Sequence, residues 1–461
     1  MKSLFDRLAH YGASDILPMH MPGHKRRTGF MRGVAKFDIT EVTGFDDLYC
    51  PTGILAEAMD EAAELYGSDA TFFLVNGSTC GILSAITAAV PQGGKILLAR
   101  NCHKSALNAV ILNQLEPVWL ESAAVSPLQV FGGVQPEAVE AALNRDAEIK
   151  AVFIVSPSYE GIVSDVQAIA EIAHRYGVPL LVDAAHGAHF RFGKSFPRDA
   201  LSRGADVVVE SLHKTLPSLT QTAVLHIKSN LVSMEKLEFA LQTFQSSSPS
   251  YLLIASIIEC LSVLQKEGAE LMATYEQNLR QLRVVADQLY QGYLLTKTEE
   301  MFDYDSGKIV LGFRGYSGPE LKAALLERYR VEVEMAAPGY IVAMTSLNDS
   351  DEMLFRFGMA LKHLRRELPL RGETDFPRAV VPRGEMRILP AEAQNAERET
   401  VSLSDALNRV AATTLYLYPP GCPLIAAGEI IKEEQIEALR LCGEQGFAVR
   451  GLCCGGVPVV K

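Results

Sequence analysis

A lysine and an aspartate each stand at the end of an apolar run that is typical of a buried strand. Lys214 lies in the segment Ser211–Thr215, directly after the run Asp206–Val209, and Asp183 directly follows Leu180–Val182. In open α/β sheets, ligands bind at the carboxyl ends of the strands. A lysine amine and a carboxylate at that edge suit pyridoxal 5′-phosphate, whose aldehyde bonds to the amine and whose protonated pyridine nitrogen pairs with the carboxylate. The alternative for Lys214 taken alone is an ordinary surface lysine.

A second candidate feature is the segment Val75–Gly81, which joins a predicted strand to an apolar helix. Gly77, Ser78 and Thr79 put small residues and hydroxyls at the helix N-terminus. Free backbone N–H groups and the positive end of the helix dipole bind anions there. We therefore predict an anion site, the alternative being a plain helix cap. The segment matches neither the P-loop nor the Gly-x-Gly-x-x-Gly pattern, so a nucleotide site is not predicted.

Three histidines lie close to these strand ends. His103 follows the strand Lys95–Ala99, where its ring is placed to stack on a cofactor; the alternative is a loop histidine. His186 and His189 follow Asp183 as a His-x-x-His pair. Because no third ligand motif accompanies that pair and the His-Glu-x-x-His pattern is absent, we predict no metal site.

The elements that position these residues alternate between short apolar strands and helices. Helical stretches such as Ser164–Tyr176 separate most of the strands. Nearly continuous apolar strands of this kind predict an α/β fold whose main sheet is mostly parallel and covered by helices on both faces. The buried strands that we predict in this first part of the chain are Thr71–Val75, Lys95–Ala99, Ala151–Val155, Pro179–Val182, Asp206–Val209 and Ala223–Ile227.

A helix-rich stretch at 230–290 precedes a second strand–helix pattern, which divides the chain into units. We predict an N-terminal arm at 1–50, a large cofactor-binding domain at 51–295, a small α+β domain at 296–370, and a linker with a C-terminal domain at 371–461. Predicted elements beyond residue 300 are the strands Lys308–Arg314, Val331–Met335 and Tyr340–Thr345, and the helices Gly318–Tyr329, Ser350–Glu367, Ser404–Ala412 and Lys432–Cys442.

The composition restricts the class of protein. The chain has 461 residues, 48% of them hydrophobic and 21% charged, which is typical of a globular protein. No apolar run reaches the roughly 18 residues that a membrane span needs, and the N-terminus has no secretory pattern. The net charge of −12 disfavours nucleic acid as a partner. Eight cysteines without a Cys-x-x-Cys pair indicate reduced thiols, so we expect a cytoplasmic protein that acts on a small molecule.

Taken together, the motifs resemble those of the bacterial ornithine/lysine/arginine decarboxylases, in their short form without an N-terminal wing domain. The resemblance covers about residues 3 to 430, and the motifs occur in the family's order. The segments that carry it are His20–Lys25, Asp38–Glu41, Gly44–Leu48, Val75–Thr79, Arg100–Ser105, Asp183–Gly187, Ser211–Thr215, Ser246–Tyr251 and Tyr418–Pro423.

The resemblance implies the aspartate aminotransferase fold, pyridoxal 5′-phosphate as cofactor, and a set of roles. Lys214 is then the Schiff-base lysine, Asp183 the partner of the pyridine nitrogen, and His103 the residue that stacks on the ring. His186 lies close to the ring and to the lysine. The residues that the resemblance assigns to the cofactor phosphate are Gly77, Ser78, Thr79, Ser211 and His213, with Ser247 of the Ser246–Ser248 stretch reaching the phosphate of a neighbouring subunit.

The resemblance further implies an obligate homodimer with active sites at the interface. It also implies decarboxylation of a basic amino acid to its amine, as in polyamine biosynthesis, with arginine favoured and lysine or ornithine possible. Asp46, Asp47 and Glu429 are candidate partners of the substrate's basic side chain. The C-terminal motifs depart from the family pattern at 390–393 and 426–429. An aminotransferase or lyase on the same fold, or a cofactor-binding protein with little turnover, remain the alternatives.

Overall fold

The protein is described by a computed structural model over residues 3–14, 31–374, 376, 383–417 and 421–461. The His20–Lys25 motif and residues 418–420 of the last motif lie outside this described part.

Thirteen α-helices occur in the described part of the chain, together with 3₁₀ helices at Met31–Phe37, Leu201–Arg203 and Ser404–Ala406. The α-helices are α1 (Leu4–Ala13), α2 (Ile54–Tyr66), α3 (Gly77–Ala89), α4 (Lys104–Leu112), α5 (Pro136–Arg145), α6 (Val166–Arg175), α7 (Leu212–Thr215), α8 (Met234–Phe244), α9 (Tyr251–Asp287), α10 (Gly318–Tyr329), α11 (Asp351–Glu367), α12 (Pro390–Asn395) and α13 (Glu433–Glu444).

The strands of the same ranges form one large sheet and several small ones. They are β1 (Ala70–Leu74), β2 (Lys95–Ala99), β3 (Glu116–Leu120), β4 (Ala124–Val125), β5 (Val130–Phe131), β6 (Ile149–Val155), β7 (Ile162–Val163), β8 (Leu180–Asp183), β9 (Val207–Glu210), β10 (Ala223–Ile227), β11 (Gly292–Leu294), β12 (Asp303–Tyr304), β13 (Lys308–Phe313), β14 (Met335–Ala336), β15 (Ile341–Met344), β16 (Arg398–Val401), β17 (Leu415–Leu417), β18 (Pro423–Ile425), β19 (Val449–Arg450) and β20 (Val457–Val460).

The large sheet has the strand order β1-β10-β9-β8-β6-β2-β3. Every pairing from β9 to β3 is parallel, and β10 runs antiparallel to both of its neighbours. The mainly parallel sheet predicted from the sequence is therefore confirmed. The sequence analysis did not find β3, which pairs only with β2 and carries Pro117. Proline removes a ladder donor and is tolerated at the edge of a sheet, where that donor is not needed.

Alternate residues of the central strands pack into two different hydrophobic cores. In β8, Leu180 and Val182 join the core that includes α6 and α9, whereas Leu181 joins the core that includes α3, α4 and α8. All four residues of β9 are buried as well. Because both faces are covered, these strands are continuously apolar until the ionisable residues that end them.

A second sheet has four antiparallel strands in the order β11-β13-β15-β14. Three of these strands lie in the range 296–370 predicted for the small domain, whereas β11 precedes that range. The 37-residue helix α9 packs against α11, β11 and β1, and so contacts both sheets. Although α9 is long, none of the helices over the described ranges has the apolar length needed to cross a bilayer. Residues 331–334, which the sequence analysis assigned to a strand, precede the shorter strand β14.

The C-terminal region departs from its sequence prediction at 404–412. The helix predicted there is wrong: the structure has one 3₁₀ turn, Ser404–Ala406, followed by Asn408 with a left-handed φ of +62°. Val410 and Ala411 then form isolated β-bridges with Ile430 and Val459. The chain leaves the helix because an αL residue cannot continue it.

Candidate active site

The predicted residues converge at the carboxyl edge of the parallel strands. Asp183 is the last residue of β8, and Lys214 lies in α7, the short helix that follows β9. His103 caps α4 directly after β2, and the N-terminus of α3 follows β1. A cavity of about 420 Å³ opens at this edge and is lined by Ser78, Asn101, His103, Phe131, Val155, Ser158, Tyr159, Glu160, Asp183, Ala185, His186, Lys214, Glu334 and Cys422.

Asp183 and Lys214 are groups of opposite charge that influence each other's pKa in this cavity. Burial raises the pKa of the Asp183 carboxyl, and the positive charge of Lys214 opposes that rise. Burial lowers the pKa of the Lys214 amine, with Asp183 opposing. The Asp183 Oδ1 atom accepts a hydrogen bond from the backbone N–H of Ala185 at 3.0 Å. A desolvated lysine is more readily neutral and hence nucleophilic, which suits attack on an aldehyde.

His186 lies between two lysines. Its Nε2 atom is 3.2 Å from the Nζ of Lys214, and its Nδ1 atom is 2.9 Å from the Nζ of Lys308. Burial holds the pKa of the His186 imidazole well below its usual range, and the charges of Lys308 and Lys214 add to that effect. The ring also packs on Tyr159, with centroids 4.7 Å apart. His186 is therefore a neutral imidazole at pH 7.

Lys308 is the residue of this group that sequence reasoning missed. It begins β13 of the small domain and is only 1% exposed. The sequence signal was available, because a lysine next to the apolar run of a fully buried strand is costly unless it is paired. The sequence predicts it only as the first residue of the strand Lys308–Arg314.

His103 presents a neutral ring to the cavity. Its Nδ1 atom accepts a hydrogen bond from the backbone N–H of Ser105 at 3.3 Å and lies 2.8 Å from the Ser105 hydroxyl. Burial lowers the pKa of His103 to about 4, helped by the charges of Lys214 and Lys104. An uncharged, oriented imidazole of this kind can stack on an aromatic cofactor.

Polar groups without a protein partner occur at the first turn of α3 and in the turn around Lys214. Asn76 makes no side-chain cap hydrogen bond, so the N–H groups of this turn stay available. Gly77 has a φ of +73°, a conformation that a residue with a side chain rarely adopts. Close in sequence to Lys214, the hydroxyls of Ser211 and Thr215 are buried and have no hydrogen-bond partner among the described residues. Such donors fit a phosphate.

The remaining predicted residues lie beside the cavity or outside it. His213 donates its Nδ1 hydrogen to the carbonyl of Thr222 at 2.8 Å, which leaves Nε2 for another partner. Thr79 and Ser247 are exposed. Ser247 follows Ser246, whose carbonyl accepts a hydrogen bond from the Tyr49 hydroxyl at 2.5 Å. Among the described residues, no group of three or more His, Cys, Asp or Glu side chains is arranged to hold a metal ion.

The three carboxylates proposed for the substrate side chain do not line this cavity. Asp46 instead accepts hydrogen bonds from four backbone N–H groups, those of Asp47, Thr52, Gly53 and Leu55. Glu429 is fully buried and pairs with Arg100 at 2.7 Å. Asp47 accepts the backbone N–H of Tyr49. Sequence alone could not show that the carboxylates of Asp46 and Glu429 are already occupied by contacts that stabilise the fold.

Two other carboxylates line the cavity besides Asp183. Glu160 is 3% exposed and accepts hydrogen bonds from the hydroxyls of Tyr340 at 2.9 Å and Ser158 at 3.3 Å. Glu334 is exposed, and its Oε1 atom accepts a hydrogen bond from the Tyr159 hydroxyl at 2.7 Å. Of the two, Glu334 is the one that a solute entering the cavity can reach.

Comparison with known proteins gives a consistent picture. The family model described as "Orn/Lys/Arg decarboxylase, major domain" matches residues 2–307, and the model of the C-terminal domain of the same family matches residues 378–444. The arginine decarboxylase of Bacillus anthracis is 30% identical over 97% of this chain and 94% of its own length. That of Halalkalibacterium halodurans is 32% identical over the same shares.

More distant relatives and solved structures extend the comparison. The constitutive lysine decarboxylase of Escherichia coli is 23% identical, over 94% of this chain and 75% of its own. The crystal structure of a lysine decarboxylase from Francisella novicida superposes with a TM-score of 0.83 at 17% identity, covering 100% of this chain and 81% of the other. Serine palmitoyltransferase from Sphingomonas wittichii reaches 0.56 at 20% identity, covering 68% and 76%. These structural likenesses establish the fold.

Proposed function

Because the chain belongs to the Orn/Lys/Arg decarboxylase family, we propose that it removes the α-carboxylate of a basic amino acid and releases CO2 and the corresponding amine. Arginine is the favoured substrate, with lysine or ornithine as further candidates. The full-length relatives at 30–32% identity, which are named arginine decarboxylases, support this choice. The observation that carries the proposal is the convergence of Lys214, Asp183 and His103 on one cavity.

The cavity residues fit pyridoxal 5′-phosphate. Lys214 supplies the amine for the aldehyde, Asp183 a buried carboxylate for the protonated ring nitrogen, and His103 a flat neutral ring to stack on. The buried hydroxyl of Ser211 has no partner in the described part of the protein and lies in the turn that carries Lys214. Together with Gly77, Ser78, Thr79 and His213, it would hold the phosphate. When bound, the cofactor supplies an electron sink for the pair left on Cα as CO2 departs.

The protein's own side chains supply orientation and protons. Lys214 would hold the cofactor through its aldehyde and release it to the substrate amine, and the lowered pKa of the Lys214 amine suits both roles. His186 lies beside this amine, with its Nε2 atom 3.2 Å from the Lys214 Nζ. Its neutral ring can hold or pass a proton there. After CO2 has left, a proton must reach Cα to give the amine, and His186 is placed to deliver it.

Glu334 is the carboxylate that we propose for the basic end of the substrate. It is exposed at the cavity, and the Tyr159 hydroxyl orients its Oε1 atom at 2.7 Å. A guanidinium group bonds a carboxylate through two parallel N–H···O contacts, which favours arginine over the point charge of lysine. Glu160, which two hydroxyls enclose, adds negative charge deeper in the same cavity.

We further propose that the chain acts as a homodimer in the cytoplasm and serves polyamine biosynthesis. The exposed Ser246–Ser248 stretch supports the dimer, since it would carry Ser247 to the phosphate of the partner site. On the neighbouring helix α8, Phe239 is 71% exposed, as expected of a residue covered on association. All eight cysteines are free thiols, which fits a reducing compartment.

A substrate panel tests the proposed function. The purified chain is loaded with pyridoxal 5′-phosphate and given arginine, lysine and ornithine in turn, and CO2 and amine are measured together. We expect equimolar CO2 and amine, with the highest kcat/KM for arginine. A keto acid appearing with pyridoxamine 5′-phosphate would identify an aminotransferase instead. Absence of turnover with firmly bound cofactor would identify a binding protein.

A further inference from the structure

A continuous polar chain links the candidate active site to the small domain. Lys308 approaches the Nδ1 atom of His186 at 2.9 Å, and Nε2 on the other side of the ring approaches Lys214 at 3.2 Å. Lys308 belongs to β13, whereas His186 follows β8 of the large sheet. Behind Lys308, Asp305 pairs with His189 at 3.2 Å. His186, His189, Asp305 and Lys308 are all buried.

Hydrogen-bond chemistry decides which nitrogen of His186 carries the proton. A lysine ammonium has three donors and no acceptor, so it bonds only to a ring nitrogen with a free lone pair. A neutral imidazole has one such nitrogen, and its hydrogen sits on the other. If Lys308 donates to Nδ1, the hydrogen of His186 is on Nε2 and points at Lys214. The Nε2 atom then has no free lone pair to accept a hydrogen bond from Lys214.

The charges around Lys308 keep it protonated at neutral pH. Burial lowers the pKa of Lys308 to about 8, while Asp305 and other carboxylates oppose that shift. The pKa of Asp305 is itself lowered: burial raises it, but the histidine and lysine beside it outweigh burial. Below pH 8 the ammonium form therefore predominates, and above it the charge is lost. The ionisable groups that face Lys308 from the surrounding elements are Asp305, His186, His189, Lys214, Glu160 and Glu334.

We propose that Lys308 is a positioning residue for the decarboxylation, because its ammonium fixes His186 in the tautomer with the hydrogen on Nε2 and gives a proton to Nδ1 when that hydrogen is used. The inference rests on the proposed function. As the C–CO2 bond breaks, its electron pair stays with Cα. The N–H bond at His186 Nε2 then breaks and a C–H bond forms at Cα, while a proton moves from Lys308 to Nδ1. His186 ends neutral with its hydrogen on Nδ1, and Lys308 ends as an amine. Uptake of one proton from water at Nε2, with return of the Nδ1 proton to Lys308, restores the starting state.

The tautomer of His186 is measurable without any turnover. We would label the protein with ¹⁵N and ¹³C in histidine alone, load it with cofactor, and record solid-state NMR spectra at pH 7. Subtracting the spectrum of His186→Gln assigns the His186 signals. We expect a neutral ring with the hydrogen on Nε2 and a hydrogen-bonded, unprotonated Nδ1. A hydrogen on Nδ1, or a doubly protonated ring, would overturn the proposal.

Variants of Lys308 separate positioning from proton supply. Lys308→Met removes the donor at similar length, so kcat should fall about 100-fold, the usual scale for loss of assisted proton transfer. KM should change much less, and the loss of kcat above about pH 8 that we expect of the parent protein should disappear. Lys308→Arg keeps a donor that does not titrate. It should restore the Nε2 tautomer without restoring the pH 8 limb or the full kcat.

The matched control is Tyr304→Phe. It removes the 2.9 Å hydrogen bond from the Tyr304 hydroxyl to the backbone carbonyl of Lys308, and leaves the Lys308 side chain in place. This control should keep the parental tautomer and the pH 8 limb. Parental kcat and pH profile in Lys308→Met would overturn the proposal.

The two proposals fail in different ways. If no basic amino acid is decarboxylated, the substrate panel refutes the proposed function. The Nε2 tautomer of His186 can still be observed in that case, and only its use in decarboxylation is refuted. If decarboxylation proceeds and the His186 hydrogen is on Nδ1, the proposed function stands and the role of Lys308 is refuted.

Discussion

At the scale of single residues, burial and neighbouring charge give each group near Lys214 a different protonation state. The pKa of Asp183 is raised by burial, that of Lys214 is lowered by burial, and that of His103 falls to about 4. When groups in one cavity have widely different pKa values, one of them can act as an acid while another acts as a base. Lys214 and Glu334 are the two side chains whose removal tests such roles.

Removal of Lys214 should abolish attachment of the cofactor. In Lys214→Ala, the near-visible absorbance that pyridoxal 5′-phosphate gains on bonding to a lysine should be absent, because no other amine lines the cavity in the described ranges. Lys104→Ala is the control, since Lys104 is an exposed lysine one residue from His103. Absorption spectra of both variants after gel filtration provide the measurement. Unchanged absorbance in Lys214→Ala would show that another group binds the aldehyde.

Removal of the Glu334 charge should weaken binding of the substrate's side chain. Glu334→Gln should raise KM for arginine by about 10- to 100-fold, since hydrogen bonds to charged groups contribute about 1.5–3 kcal/mol. The control is Glu332→Gln, two residues earlier, where the carboxylate pairs with Lys322 at 3.0 Å. Steady-state kinetics on both variants provide the measurement. An equal rise in KM in the two variants would show that Glu334 does not bind the substrate's side chain.

At the scale of elements, the site depends on how strands end and helices begin. Asp183 and Lys214 follow neighbouring strands β8 and β9, which run parallel, so their side chains reach the same edge. The turn before α2 shows a different use of a carboxylate: Asp46 has a left-handed φ of +69° and collects four backbone N–H groups. Two of these N–H groups, those of Gly53 and Leu55, lie at the start of α2, whose buried side packs into the core.

Asp46 should therefore affect stability. Asp46→Ala should lower the free energy of unfolding by about 1–2 kcal/mol, the scale of a lost helix cap. Burial raises the pKa of Asp46, but its backbone donors outweigh burial, and the net pKa is below 3.8. Its contribution is thus full above pH 4 or so and lost as pH falls through the folded-state pKa. Urea denaturation at pH 7 and at lower pH measures both effects.

The control for this prediction is Asp47→Ala. Asp47 is exposed and accepts one backbone hydrogen bond, from Tyr49. Asp47→Ala should lower the free energy of unfolding clearly less than Asp46→Ala does. Equal decreases would mean that the four hydrogen bonds of Asp46 stabilise the protein no more than a surface carboxylate does.

At the scale of the whole molecule, the site combines residues from distant parts of the chain. Lys308 and Glu334 belong to the range predicted for the small domain, whereas His186 and Lys214 belong to that of the large one. A shift between these two ranges would therefore move Lys308 and Glu334 relative to Lys214. In the C-terminal region, the buried pair between Glu429 and Arg100 ties that region to the large sheet.

The association state is testable at this scale. The chain should sediment at twice its monomer mass, and Phe239→Asp should shift it toward monomer and lower the specific activity on dilution, because an exposed aromatic ring would otherwise be covered. Phe355→Asp is the control: Phe355 is 69% exposed, close to the 71% of Phe239, but lies on α11. Sedimentation velocity measures the outcome. Dissociation by both substitutions or by neither would contradict the assignment of this surface.

The sequence by itself determined the sheet class, most helix and strand positions, and the convergence of Lys214, Asp183 and His103. Apolar strands that end in ionisable residues are a local pattern, and parallel pairing brings their ends together. Only the tertiary structure decided which carboxylate is available, because Asp46 and Glu429 differ from Glu334 in the partners that folding brings to them. It also revealed Lys308, which is 122 residues from His186 in sequence yet 2.9 Å away in space. Contacts between domains depend on packing that no local pattern encodes.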